Sequence, residues 1–164
     1  MSPEKFILQI RNVQEPLRRF LCVLCRGDAE MADDIAQDTF MKAFLAIDSF
    51  REDSGLTTWL FKIGYNCFVD KVRKEAKLRV ECISNQSACI PSEERADDRF
   101  KYEALYSAID MLSDHEKAAV LLFYKEGMSI KDIATVTGLS EANVKVSLYR
   151  GRNRIKEQLE NGDR

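Results

Sequence analysis

Apolar side chains recur every three or four residues along most of the chain, which is the spacing of amphipathic helices. In the first half, this period predicts three helices, over residues 6–24, 28–44 and 57–77. In the second half it predicts four, over residues 100–112, 117–126, a short stretch before Gly138, and 141–159. The predicted fold class is therefore all-α.

The helical period is lost between residues 78 and 98, where polar residues lead into Pro91 and Ser92. About twenty residues without a regular element is long for a loop inside one compact domain. The sequence therefore predicts two small helical domains, residues 1–77 and 99–164, joined by a flexible linker over residues 78–98.

The end of the chain has the pattern of a helix-turn-helix. Ser129 and Ser140 each stand where an N-cap is expected, and Gly138 between them can adopt the positive φ of a tight turn. No acidic residue interrupts the chain from Lys145 to Lys156. Although a run of basic residues is usually just a solvated face, a basic helix after such a turn is typical of a helix that reads the DNA major groove.

Helical projection separates the two sides of this last helix. One stripe is apolar and should pack on the short helix before it: Val144, Leu148, Gly151, Ile155 and Leu159. The opposite side should face outward: Ala142, Asn143, Val146, Tyr149, Arg150 and Asn153. The outward side would carry the contacts with DNA.

The predicted helix over residues 28–44 begins with several acidic side chains. Carboxylates there are favoured by the helix dipole, and they also suit docking of a basic partner. Catalysis or metal binding is disfavoured, because no cluster of histidine, cysteine or a nucleophile accompanies them. The predicted helix over residues 57–77 starts apolar and aromatic, with Trp59 expected in the core, and ends basic, where it could meet phosphates.

Composition limits how the protein could bind DNA and in which cellular compartment it is expected. The net charge of −2 is spread over the 164 residues so that neither half is basic overall, and DNA contacts must come from local clusters. Five cysteines without a disulfide spacing fit a reducing compartment, where they would fill apolar space. With no signal segment and no long apolar run, we expect a cytoplasmic protein without membrane insertion.

Several segments together resemble the bacterial extracytoplasmic-function (ECF) sigma factors: residues 32–44, 48–51, 58–60, 63–66, 70–74 and 112–152. The resemblance implies a non-enzymatic, cofactor-free subunit that binds core RNA polymerase and directs it to promoter DNA. It implies that the first domain docks on the β′ clamp helices and melts the minus-ten element. The second domain would grip the β flap and read the minus-thirty-five element. It also implies an anti-sigma partner.

The resemblance assigns site residues to three sets. The polymerase-docking set is Asp33, Asp34, Gln37, Asp38 and Met41. The minus-ten set is Phe50, Arg51, Ser54, Asn66, Lys71, Arg73 and Lys74, in which the loop over residues 50–57 would receive a flipped base beside Asn66. The minus-thirty-five set is Ser140, Asn143, Lys145, Val146, Ser147, Tyr149, Arg150, Arg152 and Arg154.

Two departures from the family pattern and two alternatives qualify this interpretation. Lys145 and Ser147 stand where many relatives have arginine, so the promoter sequence stays open. Gly64 and Gly151 replace a frequent alanine and should weaken each helix slightly. The alternatives are a regulator that binds duplex DNA only through its last helices, and a polymerase-binding adaptor that never reads DNA. The acidic and aromatic helices argue against the first, and the basic run against the second.

Overall fold

The computed structural model describes residues 1–78 and 96–162, with side chains in the second range from residue 102 onward. All regular elements in those ranges are helical, which confirms the predicted all-α class. The chain divides into two compact units, Met1–Cys89 and Ile90–Arg164. The predicted linker over residues 78–98 lies largely outside the described residues; Leu78 ends one helix, and residues 96–98 begin the next.

Three helices form the first unit: α1 (Pro3–Leu24), α2 (Ala29–Leu45) and α3 (Leu56–Leu78), with a 3₁₀ turn at Ile47–Ser49. Ser2 caps α1 by accepting a hydrogen bond from the Lys5 amide. Pro16 lies inside α1 without ending it. The helical period over residues 6–24 predicts one apolar face: Phe6, Ile10, Val13, Leu17, Phe20, Leu21 and Leu24. All of these are buried in α1 except Ile10, which is half-buried.

Small residues on α2 set how closely it packs against its neighbours. Its buried positions are Ala32, Ile35, Ala36, Thr39 and Ala43. The helical period over residues 28–44 predicts Ile35, Phe40, Ala43 and Phe44 on the inward face. This is wrong for Phe44, which is 49% exposed beside Phe6, and Phe40 is only half-buried. Since the narrow alanine face makes the close contact, the bulky aromatic residues are displaced to its edges.

Gly64 on α3 continues this close contact. A Cβ atom at Gly64 would lie 3.1 Å from Leu17 Cδ1 and 3.5 Å from Thr39 Oγ1. The glycine therefore sits at a point where α3 approaches both other helices. Gly64 was expected only to weaken its helix, but its lack of a side chain also leaves room for Leu17 and Thr39 to pack against α3.

The second unit contains α4 (Ala96–Asp110), α5 (Asp114–Val120), α6 (Ile130–Thr137) and α7 (Glu141–Gly162). The sequence Ser113-Asp114-His115-Glu116 predicts a capping box, and it forms at the start of α5: the Ser113 hydroxyl accepts from the Glu116 amide, and the Glu116 carboxylate accepts from the Ser113 amide. The helix predicted over residues 117–126 is present, but its second part is not α-helical. Residues Leu121–Lys125 form a wider π-helical turn, in which the Glu126 amide reaches back to the Leu121 carbonyl.

α7 crosses α5 at a second glycine. A Cβ atom at Gly151 would lie 2.7 Å from Val120 Cγ2, which is closer than two carbon atoms can pack. Val144 and Leu148, on the same stripe, are buried as predicted. Gly151 therefore fixes where α7 lies against α5, a role that goes beyond the expected slight weakening of the helix.

Candidate functional site

The predicted docking residues form one surface on α2, which we call the acidic surface: Asp33, Asp34, Gln37, Asp38 and Met41. Asp28 caps the helix just before them by accepting a hydrogen bond from the Met31 amide at 3.1 Å. Met41 is the most apolar member, and its side chain is 65% exposed. An exposed thioether beside carboxylates suits contact with the stems and heads of basic side chains.

Basic residues of the neighbouring helices engage two of these carboxylates. Arg18 of α1 donates to Asp33 Oδ1 from Nε, at 3.2 Å, and from Nη2. The hydrogen bond to Asp33 raises the pKa of the Arg18 guanidinium, against the opposing effect of partial burial. Lys71 of α3 lies with its Nζ 3.4 Å from Asp34 Oδ2. The structure thus places a residue of the docking set beside a residue of the minus-ten set.

The loop before α3 is held in place by an aromatic contact. Phe50 packs on Trp59 with ring centroids 5.0 Å apart. Trp59 is half-buried rather than in the core, where it was predicted, because its ring supports the loop. The loop and α1 together border an open cavity of about 450 Å³, and both Phe50 and Ser54 line it. Arg51 and Asn66 do not line this cavity.

Asn66 lies further along α3, on its outward side. It is exposed, whereas Tyr65, Cys67 and Phe68 around it are buried. The ten residues from the start of α3 to Asn66 span about 15 Å at the helical rise. Arg73 and Lys74 are exposed beyond it. Asn66, Lys71, Arg73 and Lys74 of the minus-ten set therefore all lie on α3, whereas Phe50, Arg51 and Ser54 lie in the loop before it.

Sequence reasoning missed the residues of α1 that face the loop. Lys5, Gln9 and Asn12 line the same cavity as Phe50 and Ser54. Their spacing of four and three residues places them on one side of the helix, and this spacing was the available signal. It was overlooked because α1 was interpreted only through its apolar stripe.

The helix-turn-helix of the second unit forms as its caps predict. The Ser129 hydroxyl accepts from the Asp132 amide, Gly138 has a φ of 76°, and the Ser140 hydroxyl accepts from the Asn143 amide at 3.1 Å. Val144, Leu148 and Gly151 of the predicted apolar stripe are buried, Ile155 is half-buried, and the prediction for Leu159 is wrong, because it is 37% exposed near the end of the helix. The other side of α7 is presented outward. Its outward residues are Asn143, Lys145, Val146, Tyr149 and Arg150, with Ser147 half-buried.

Two other members of the minus-thirty-five set contact residues within the unit. Arg154 Nη1 lies 3.0 Å from Glu116 Oε2, and the Glu116 side chain is only 7% exposed. Arg152 donates to the Tyr124 hydroxyl at 3.2 Å. These contacts tie α7 to α5 and to the π-helical turn. The sequence showed Glu116 only as part of a capping box, since its contact with Arg154 depends on how the helices cross.

In the ranges 1–78 and 96–162, no group of three or more His, Cys, Asp or Glu is placed to hold a metal ion. Within the same ranges, none of the helices combines the length and the apolar character needed to cross a membrane.

Both units match known protein families. The family "Sigma-70 region 2" matches residues 10–78, and "Sigma-70, region 4" matches residues 102–155. The ECF RNA polymerase sigma factor SigM of Bacillus subtilis is 31% identical over 149 residues, covering 88% of each chain. The sigma-H factor of Pseudomonas aeruginosa is 34% identical over 145 residues, which is 81% of this chain and 75% of that protein.

The fold is also similar to that of a solved sigma factor. The sigma factor RpoE of Bartonella quintana, solved in complex with the anti-sigma factor NepR, superposes with a TM-score of 0.83 at 30% identity. That match covers 96% of this chain and 98% of RpoE. Two sigma-70 regions and relatives across nearly the whole length define the class: this chain belongs to the ECF sigma factors, which direct RNA polymerase to promoters.

Proposed function

We propose that each of the two units of this sigma factor binds one element of the promoter. Residues 1–77 would dock on core RNA polymerase and open the minus-ten element. Residues 99–164 would contact the β flap and read the minus-thirty-five element as duplex. The protein would act in the cytoplasm as a specificity subunit, with no catalytic residue or cofactor of its own.

The proposal for the second unit rests on the residues exposed on the outward face of α7. Asn143 and Lys145 lie in its first turns, which are the turns that reach base edges when such a helix enters the major groove. Ser140 accepts from an α7 amide and stands at the edge of the same surface. Tyr149 and Arg150 follow, where contact with phosphates fixes the register of the helix on the duplex.

The acidic surface supports docking by the first unit. Asp38 and Gln37 are exposed on α2 together with Met41, and the helix packs against both α1 and α3. A preformed surface loses little conformational entropy when a partner binds. We propose that the β′ clamp helices bind here through basic side chains.

An anti-sigma factor is a further proposed partner. The structurally similar RpoE of B. quintana was solved bound to NepR. An anti-sigma factor that covered the acidic surface or the outward face of α7 would keep this chain from polymerase or from DNA.

Run-off transcription with purified core polymerase on genomic DNA fragments tests the function. We expect discrete transcripts that require this chain, and their start sites locate its promoters. Absence of any transcript that depends on the chain, with polymerase known to be active on a control template, would refute the proposal.

Charge reversal tests the docking surface. We expect Asp38→Lys to abolish co-purification with core polymerase, because it would place a cation against a basic partner. Asp38 is preferred to Asp34, since reversal at Asp34 would also disturb Lys71. Glu157→Lys, an equal charge change at an exposed position of α7, is the control and should co-purify normally. Normal co-purification of the Asp38 variant would contradict the docking assignment.

A further inference from the structure

The cavity between α1 and the loop has two different walls. On the loop side lie the aromatic ring of Phe50 and the hydroxyl of Ser54. On the other side, α1 contributes Lys5, Gln9 and Asn12, which share one side of the helix. The loop wall belongs to the minus-ten set, whereas the α1 wall has no role in the function proposed above.

We propose that α1 is the second wall of a nucleobase pocket. Gln9 and Asn12 would hydrogen-bond the edge of an unstacked base whose face lies against Phe50, and Lys5 would contact the phosphate next to it. This inference rests on the proposed role of the loop in opening the minus-ten element, and it adds the residues that recognise the captured base.

The chemistry of the amides matches an exposed base edge. Each of Gln9 and Asn12 carries both a donor and an acceptor, and the Watson–Crick edge of every base presents the same combination. That edge is unpaired only after the strands separate. The two amides would therefore bind the open strand and leave the closed duplex unaffected, which is the selectivity that strand opening requires.

The aromatic wall is suited to stacking. Phe50 is half-buried against Trp59, so its ring is already held in place before any base arrives. Stacking of a base on a protein aromatic ring offsets part of the cost of removing it from the duplex. A ring held in advance makes that contribution without first losing its own freedom.

Charge and size favour a base over a free anion. Lys5 and Glu52 both line the cavity, so their charges oppose each other there, and Glu52 would repel a phosphate placed inside. A neutral polar ring avoids that repulsion. The volume of about 450 Å³ lies within the range of roughly 300–1,000 Å³ typical of small-ligand sites.

Abasic scanning of the promoter tests the pocket. Holoenzyme containing the full chain is assembled on a promoter found by run-off transcription, and each non-template base of the minus-ten element is removed in turn. With the unaltered chain, removal of the captured base should slow open-complex formation by more than about tenfold, because it removes both the edge hydrogen bonds and the stacking on Phe50. With Gln9→Ala and Asn12→Ala combined, opening on intact DNA should slow about tenfold, and removal of that same base should add only the loss of stacking, so the abasic effect should be clearly smaller than with the unaltered chain.

A substitution at Gln14 on the same helix is the control for the double variant. Gln14→Ala removes an amide from the same helix at a position that does not line the cavity, and it should open promoters at the normal rate. If the double variant opens promoters normally, or keeps the full abasic effect, the α1 wall is refuted while the sigma function stands. If the unaltered chain gives no promoter-dependent transcript, both the function and this inference fail.

Discussion

The contact between Gly151 and Val120 gives a quantitative prediction about the second unit. In a helix interior, replacing glycine by alanine gains about 1 kcal/mol of helix propensity. At Gly151, however, the new methyl group would lie 2.7 Å from Val120 Cγ2. Val120 is buried and β-branched, so its side chain cannot easily rotate away. Overpacking of this kind costs about 1–3 kcal/mol, so Gly151→Ala should destabilise the unit by about 1 kcal/mol overall.

Amide hydrogen exchange along α5 and α7 measures this change within the full chain. A loss of about 1 kcal/mol lowers the protection factors of the slowest amides roughly fivefold. The single tryptophan, Trp59, lies in the first unit, so its fluorescence in a urea titration should show unchanged unfolding there. Equal or higher protection in the Gly151→Ala variant would refute the steric argument.

Two further substitutions, at Val120 and at Gly64, test the same steric contact. Val120→Ala alone should cost about 2 kcal/mol for the lost buried methyl groups and the cavity. Combined with Gly151→Ala, it should cost less than the sum of the two, because the new methyl group fills that space. Gly64→Ala should be milder than Gly151→Ala, since the nearest atom is the end of the Leu17 side chain at 3.1 Å. Additive losses in the first pair would contradict the proposed contact.

Three other predictions concern α7 and α3. Arg154→Ala should destabilise the second unit by roughly 1–3 kcal/mol, since it leaves the buried Glu116 carboxylate without its cation, whereas exposed Arg150→Ala should change stability by under about 0.5 kcal/mol, both measured by amide hydrogen exchange along α5 and α7. Asn66→Ala should slow open-complex formation, followed by permanganate footprinting, more than it weakens closed-complex binding in a gel shift; equal losses would count against a role of Asn66 in strand opening. If α7 contacts ~4–6 phosphates, log affinity should fall with log salt at a slope of about −4 to −5, and a flat response would contradict those contacts.

The positions of the helices could be predicted because their signals are local. The N-caps at Ser129 and Ser140 and the positive φ at Gly138 each depend on a few neighbouring residues, and the structure confirms them. The buried stripe of α7 followed from helical periodicity in the same way. For such features, the spacing of residues along the chain is enough to predict their positions in space.

Features that depend on how helices cross could not be predicted. The contact of Arg154 with Glu116 spans 38 residues, and the contact of Lys71 with Asp34 spans 37. Phe44 was expected in the core because its position in the helical period is apolar, yet the small residues of α2 took the close contact instead. The α1 wall of the cavity likewise exists only once the loop has folded beside it. The residue roles in the three site sets remain predictions for the experiments above.

The division of α7 into a buried stripe and an outward face has a consequence for how such proteins change. Val144, Leu148 and Gly151 are fixed by their packing, so substitutions there risk unfolding the unit. Asn143 and Tyr149 are exposed, and substitutions at exposed positions usually alter stability by under about 0.5 kcal/mol. Under the proposal that this face reads the promoter, its preference could evolve, or be engineered, by changing the outward residues one at a time while the buried stripe is left intact.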